Sequence, residues 1–232
     1  MTFSRKTAKY ASQHEVEQLL LNYTTTNTKM QYTELDNLAQ IRSGYPFRGS
    51  VKHDPAGDIR VLQIRDLRRG ETLNVEALSR VMAPNHHSAH LLQPDDIVLP
   101  ARGDHRKAVP FTLTEPTIPS NHLHAVRVTS PDVLPGYLCW ALNQPEPQHA
   151  MQNEARGTAM PLLTRRSLGR INIPMPTLAT QRQIVELHEL WQREQTLTQQ
   201  LLTNREHMLN GMIQQLMNIE QAVITPPDGD TQ

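Results

Sequence analysis

The stretch IPMPTLATQRQIVELHEL, residues 173–190, divides the chain in two. Upstream, short β-like runs alternate with Pro, Gly and His; downstream, no Pro or Gly intervenes until Gly211. Pro174 and Pro176 lack the N–H that a central strand must donate, so they close a strand spanning 170–176. Thr180 followed by Gln183 is a capping-box pattern, and Thr177 offers a slightly earlier cap. Beyond it Ile184, Leu187, Leu190, Trp191, Leu197, Leu201, Met208, Met212, Leu216 and Ile219 recur at spacings of three, four and seven. That period predicts a helix over 179–223, about 40 residues and about 60 Å long at 1.5 Å per residue. A helix of that length projects from a small domain, so its apolar stripe needs another helix, from this chain or a second one. Glu194, Thr198 and Arg205 interrupt the seam, which favours a looser antiparallel packing over a strict zipper. The competing arrangement is a helix folded back on its own domain.

The 232 residues suffice for one domain with an extension, or two small domains. Hydrophobic content of 38% and charged content of 20% fit a globular chain, and no run approaches the length of a membrane span. The single cysteine, Cys139, lies in the apolar run YLCWAL and can form no internal disulfide. The expected compartment is the cytoplasm. The net charge is zero, but it is unevenly spread. Residues 31–178 hold 16 basic and 14 acidic side chains, whereas residues 179–232 hold 3 and 7. Of those 16, 14 are Arg, whose planar fork of donors suits phosphates and guanine edges.

Upstream of the helix the expected class is α+β, mixed and mostly β. Residues 1–30 read as an extension, with a short helix capped at Ser12. Residues 58–67 alternate as a strand buried on both sides, 97–99 and 122–128 are further strands, and 134–143 is a helix with Pro135 at its first position. Residues 31–178 form the main domain, and 224–232 read as a disordered tail.

Catalytic signatures are missing. Cys139 has no activating neighbour, and neither a phosphate-binding Gly loop nor a dinucleotide fingerprint occurs. NQPE at 143–146 lacks the second Pro and the aromatic of an amino-methyltransferase motif. PDD at 94–96 with DHRK at 104–107 lacks the terminal element of a nuclease set and reads as a turn. His86, His87, His90, His105, His122 and His124 lack a carboxylate or Cys at metal-ligand spacing. Alternation in HLH places His122 and His124 on the solvent side of a strand, where a surface role, open to phosphate contact, is favoured over a metal site.

Three Gly-containing loops carry the basic residues. LAQIRSGYPFRGS at 38–50 presents Arg42, Ser43, Tyr45, Arg48 and Ser50. LPARGDHRK at 99–107 presents Arg102, His105, Arg106 and Lys107. NEARGTAMPLLTRRSL at 153–168 adds Arg156, Thr158, Arg165 and Arg166. Arg68 and Arg69 follow the 58–67 run. Several such loops on a β scaffold form a candidate DNA surface.

The order of these pieces resembles the DNA-specificity subunit of type I restriction-modification systems, as one target-recognition domain and one conserved helix. The pieces are YTELDNLAQIRSGYPFRGS, GDIRVLQIRDLRRG, LLQPDDIVLPARGD, LPGYLCWALN and ARGTAMPLLTRRSLGRINIPMPTLATQRQIVEL, covering about residues 31–220. The resemblance implies a non-catalytic reader of double-stranded DNA, with each recognition domain reading half of a bipartite site. It implies an adenine methyltransferase partner that carries S-adenosylmethionine, with no cofactor in this chain, and room for a restriction and translocation subunit. The family pattern holds two such units in tandem; this sequence holds one, with no internal repeat. Two copies paired through the helix would then read a palindromic site. The alternative is a regulator or scaffold that binds methyltransferase or nuclease subunits without reading DNA.

Overall fold

The structure, a computed structural model, describes residues 30–67, 73–85, 87–103, 106–154 and 162–224, with side chains to 218. The expected N-terminal helix, the expected tail and the side chains of His86, Arg68, Arg69, His105, Arg156, Thr158 and Ile219 lie outside the described residues. In chain order the elements are β1 (Tyr32–Glu34), β2 (Ala39–Ser43), β3 (Ile59–Leu62), α1 (Ile64–Leu67), β4 (Ser79–Val81), β5 (Ile97–Pro100), β6 (Val109–Pro110), β7 (Thr117–Pro119) and β8 (Leu123–Val128). They continue with α2 (Pro135–Leu142), α3 (Pro145–Glu154), α4 (Arg165–Gly169), β9 (Asn172–Pro174) and α5 (Leu178–Ile224). Short 3-10 turns occupy Leu35–Asn37, Val75–Ala77 and His87–His90.

A four-stranded antiparallel sheet in the order β2-β8-β5-β6 divides the interior. Its residues alternate between two cores, as the period of two requires. Ile41, Ile97, Leu99 and Val126 face α2, α4 and β9, where Leu138, Leu142, Leu168 and Ile173 are fully buried. Val98, Leu123 and Ala125 face the opposite way, onto Leu62, Leu78 and Phe111. A second sheet, β4-β3-β7, pairs β3 antiparallel with β4 and parallel with β7, and β1 pairs with β9.

Two expectations need correction. The strand expected over 58–67 stops at Leu62. Asp66 accepts from the Gln63 backbone N–H at 2.8 Å and returns its own N–H to the Gln63 carbonyl at 3.0 Å, which closes the helical turn α1. His124 is 4% exposed rather than on the solvent side, because β8 is covered on both faces. Its Nε2 donates to the Leu163 carbonyl at 2.7 Å.

The boundary at 173–190 is resolved in detail. Thr177 Oγ1 accepts from the Thr180 N–H at 3.3 Å, so the earlier cap starts α5, which runs 47 residues. Gln181 is fully buried at the first turn. Its Oε1 accepts from the Leu134 N–H at 2.9 Å, and its Nε2 donates to the carbonyls of Asp132 and Pro176 at 2.9 and 3.0 Å. Ile184 and Val185 add packing against the main core. From Leu187 onward the stripe stands in solvent: Leu187, Trp191, Met208 and Leu216 are 68%, 54%, 62% and 67% exposed. Among the described residues, α5 does not fold back over its own domain.

Candidate nucleic-acid interface

The sheet delivers the Arg-bearing loops to one edge. In register, Ser43 of β2 lies beside His124 of β8, which lies beside Leu99 of β5. The chain leaving β2 at Gly44 and the chain leaving β5 at Ala101 therefore emerge at the same end. Gly44 N–H donates to the Leu123 carbonyl at 2.9 Å, and Ala101 N–H donates to the His122 carbonyl at 2.8 Å. The third loop returns to the same place, since Leu163 N–H donates to the Ala101 carbonyl at 2.9 Å and Arg102 pairs with Leu162.

Each loop is held by the local sequence. A Cβ at Gly44 would stand 2.0 Å from the Ser120 carbonyl oxygen, so only glycine passes there. Tyr45 follows, with its N–H on the Pro119 carbonyl at 2.7 Å and its ring edge-on to Phe47 and His90 at 4.9 and 5.4 Å. Arg48 and Ser50 are exposed beyond this aromatic clasp, with Gly49 at φ +84° between them. Thr164 caps α4 by accepting from the Ser167 N–H at 3.1 Å, and Arg165 and Arg166 stand exposed at that turn. Ser43 and Lys107 are also exposed, and Arg102 is half-buried.

Two of the residues proposed from sequence sit deeper. Arg106 is 2% exposed and donates to the Gly103 carbonyl, which places it inside its loop. Arg42 lies beneath the loop, on β2. Its guanidinium donates to Asp96 Oδ2 at 3.1 Å and to the Ala89 carbonyl at 3.0 Å. Asp96, 1% exposed, also receives Arg127 through two bonds, Nε to Oδ1 at 2.7 Å and Nη2 to Oδ2 at 2.6 Å. This bidentate geometry is the strong form of the pair. The Asp96 bond raises the pKa of Arg127, and burial lowers that of Arg42. The assembly ties the His87–His90 turn to the sheet, and with it His90, whose Nδ1 lies 3.2 Å from the Ser43 carbonyl.

The local chemistry otherwise reads as scaffold. Burial pushes the Cys139 thiol up to about 12, so it carries no thiolate at neutral pH. Asn143 spends its amide on the Ala108 N–H and carbonyl, both at 2.8 Å, and on the Cys139 carbonyl at 3.0 Å. Among the described residues no group of three or more His, Cys, Asp or Glu is placed to hold a metal ion. No described helix is long and apolar enough to cross a membrane.

The class that this build defines is a β-rich loop-bearing domain mounted on a single long helix. Solved structures of type I restriction-modification S subunits share it. The HsdS subunit from Thermoanaerobacter tengcongensis matches over 78% of this chain with a TM-score of 0.54 at 18% identity. A chain from a study of complex assembly and conformational transition of the type I R-M system matches over 88% with a TM-score of 0.61 at 17% identity. The S subunit from M. genitalium matches over 73% with a TM-score of 0.49 at 14% identity. The matches with TM-scores of 0.54 and 0.61 give the chain the S-subunit fold, and the chain spans 41–50% of the length of the three matched chains. No family model matches the sequence, and no curated protein matches it.

Proposed function

We propose that this chain is a non-catalytic, sequence-specific reader of double-stranded DNA. It directs a partner adenine-N6 methyltransferase to a bipartite site, and it pairs with a second copy through α5. The observation that carries the reading is the convergence of the 44–50, 101–103 and 162–166 segments on one edge of the β2-β8-β5 sheet, with Arg48, Arg165 and Arg166 exposed there. Exposed Arg side chains on stiffened loops suit phosphate and base-edge contacts. The S-subunit fold supports the same reading. Ser50 and Lys107 are exposed as well, and Ser43 and Arg102 lie nearer the strand ends; Arg68, Arg69, His105, Arg156 and Thr158 are further contacts proposed from the sequence alone. Arg42, Tyr45 and Arg106 support the proposed surface from beneath. S-adenosylmethionine belongs to the partner, and a restriction subunit is compatible with the assembly.

The test is duplex selection from a random pool with the purified chain and its methyltransferase, followed by binding across a salt series. Enrichment of one motif, with affinity falling steeply as salt rises, supports the reader. A protein that captures the methyltransferase yet enriches no motif is a scaffold, and the reading fails.

A further inference from the structure

The exposed stripe of α5 is wider than one neighbouring helix covers. At 3.6 residues per turn, Trp191, Leu202, Leu209 and Ile213 share one flank, and Leu190, Leu197, Leu201 and Met208 share another, about 100° away around the axis. Both flanks are exposed along their length. The seam between two paired helices is narrower than this. A second copy seated on one flank therefore leaves the other open. The Trp191 flank continues upward from the domain. Ile184, which packs against the main core, lies within about 20° of Trp191 and Leu202 around the helix. Whatever covers that flank must stand on the domain, beside the foot of α5.

One segment of this chain is delivered to that place. The Gln31 carbonyl accepts from the Met175 N–H at 2.8 Å, and Tyr32 pairs with Pro174. The chain before β1 thus runs beside the residues that lead into Leu178, where Met30 is 49% exposed. Further upstream, SQHEVEQLLLNY at 12–23 carries Val16, Leu19, Leu20 and Tyr23 at helical spacing, behind the Ser12–Glu15 capping box. TTTNTK at 24–29 joins it to Met30, and those six residues reach at most about 20 Å. Trp191 stands about 20 Å above Leu178, and a helix over 12–23 rises about 18 Å. With Ser12 lowest, Tyr23 would lie beyond the reach of the tether. With Tyr23 lowest, near Leu187, the leucines come level with Trp191.

We propose that residues 12–23 dock as a helix on the Trp191 flank of α5, with Tyr23 nearest the domain and Leu19 and Leu20 over the indole. The inference goes beyond the functional reading and rests on neither DNA recognition nor self-pairing. Trp191 is 54% exposed, with its ring against His188 of the same helix at 6.2 Å, so one face of the indole is open to a neighbour. A short flexible tether holds the segment at an effective concentration of about 1 mM. At micromolar protein this favours the chain's own segment over a second copy at this flank. The docked segment braces the root of the stalk, and the flank of Leu197, Leu201 and Met208 stays open for pairing.

The experiment uses the full chain with Trp140→Phe, which leaves Trp191 as the only tryptophan. Its fluorescence emission should lie to the blue of an exposed tryptophan and hold that position on dilution. Leu19→Asp with Leu20→Asp, both outside the core of the domain, should move the emission to the red. Cysteine pairs give the second measurement. In a full chain carrying Cys139→Ala, Trp191→Cys is combined with Val16→Cys, Leu20→Cys or Tyr23→Cys and oxidised. At least one pair should close a disulfide within a single chain, and separately tagged single variants mixed together should give none between tags. Emission unmoved by L19D/L20D overturns the proposal. Emission that follows protein concentration and ignores L19D/L20D also overturns it and assigns the flank to a second copy. Disulfides that form only between chains, or in none of the three pairs, overturn it as well.

Discussion

Arg127 of β8 closes on Asp96, just before β5, through two hydrogen bonds of 2.7 and 2.6 Å, and Arg42 of β2 completes the cluster at 3.1 Å. Three chain segments far apart in sequence are clamped beneath the Tyr45 loop by one carboxylate. Arg127→Ala leaves Asp96 with Arg42 and the Gln93 N–H as partners, and Asp96→Ala leaves two guanidinium groups facing each other. Both Arg side chains keep some water, at 19% and 27% exposure, so the costs fall below those of a fully enclosed pair. Chemical denaturation should show a loss of about 2–4 kcal/mol for Asp96→Ala and less for Arg127→Ala.

Gln181 fixes the stalk to the domain. Gln181→Leu removes the partners of the Leu134 N–H and of the Asp132 and Pro176 carbonyls at a fully buried position. The expected cost is about 3 kcal/mol in denaturation. Hydrogen exchange should rise at Leu134 and in the first turn of α5, and stay unchanged beyond Leu190.

His124 makes stability depend on pH. Burial holds its pKa below the ordinary histidine value, because charging the ring inside the domain is unfavourable. The unfolded chain therefore takes up the proton first as pH falls, and stability drops below about pH 6.5 until the folded pKa is passed. Above that range the ring is neutral in both states and contributes no pH dependence. His124→Gln should flatten the decline in denaturation midpoint between about pH 7 and about pH 5 relative to wild type. An unchanged slope would remove His124 as its source.

The exposed Arg residues divide by position. Arg48 is exposed beyond the Tyr45 clasp; if the chain reads DNA as proposed and Arg48 contacts a base edge, Arg48→Ala should weaken cognate binding by about 1–3 kcal/mol. Arg165 and Arg166 sit at the α4 turn and suit phosphates. Replacing both with Ala should weaken cognate and random duplexes alike and reduce the log–log salt slope by about 2. Fluorescence anisotropy across a salt series separates the two patterns.

Much of this was legible in the sequence where the signal is local and periodic. The α5 stripe, the two prolines before it, and Pro135 opening α2 each act within one turn of their own position. Residues whose role depends on topology were not legible. Asp96 reads as part of a turn, because Arg42 and Arg127 reach it only once β2, β8 and β5 are side by side. His124 looks solvent-facing by alternation, since alternation alone does not show that both faces of β8 are covered. The end of β3 at Leu62 was hidden for a related reason: the apolar run continues through Ile64, and only the Asp66 carboxylate on the Gln63 N–H turns the chain. The three Arg loops were recognisable as loops, but their convergence follows from the strand register.

In the proposed function this chain selects the DNA sequence on which a methyltransferase acts. The first measurement is methylome sequencing of cells expressing the chain together with a candidate partner adenine methyltransferase. The expected result is N6-methyladenine at a bipartite, palindromic motif that disappears when this chain is omitted. Arg48→Ala should abolish that motif as well. A methylation pattern unchanged by omitting the chain would contradict the claim.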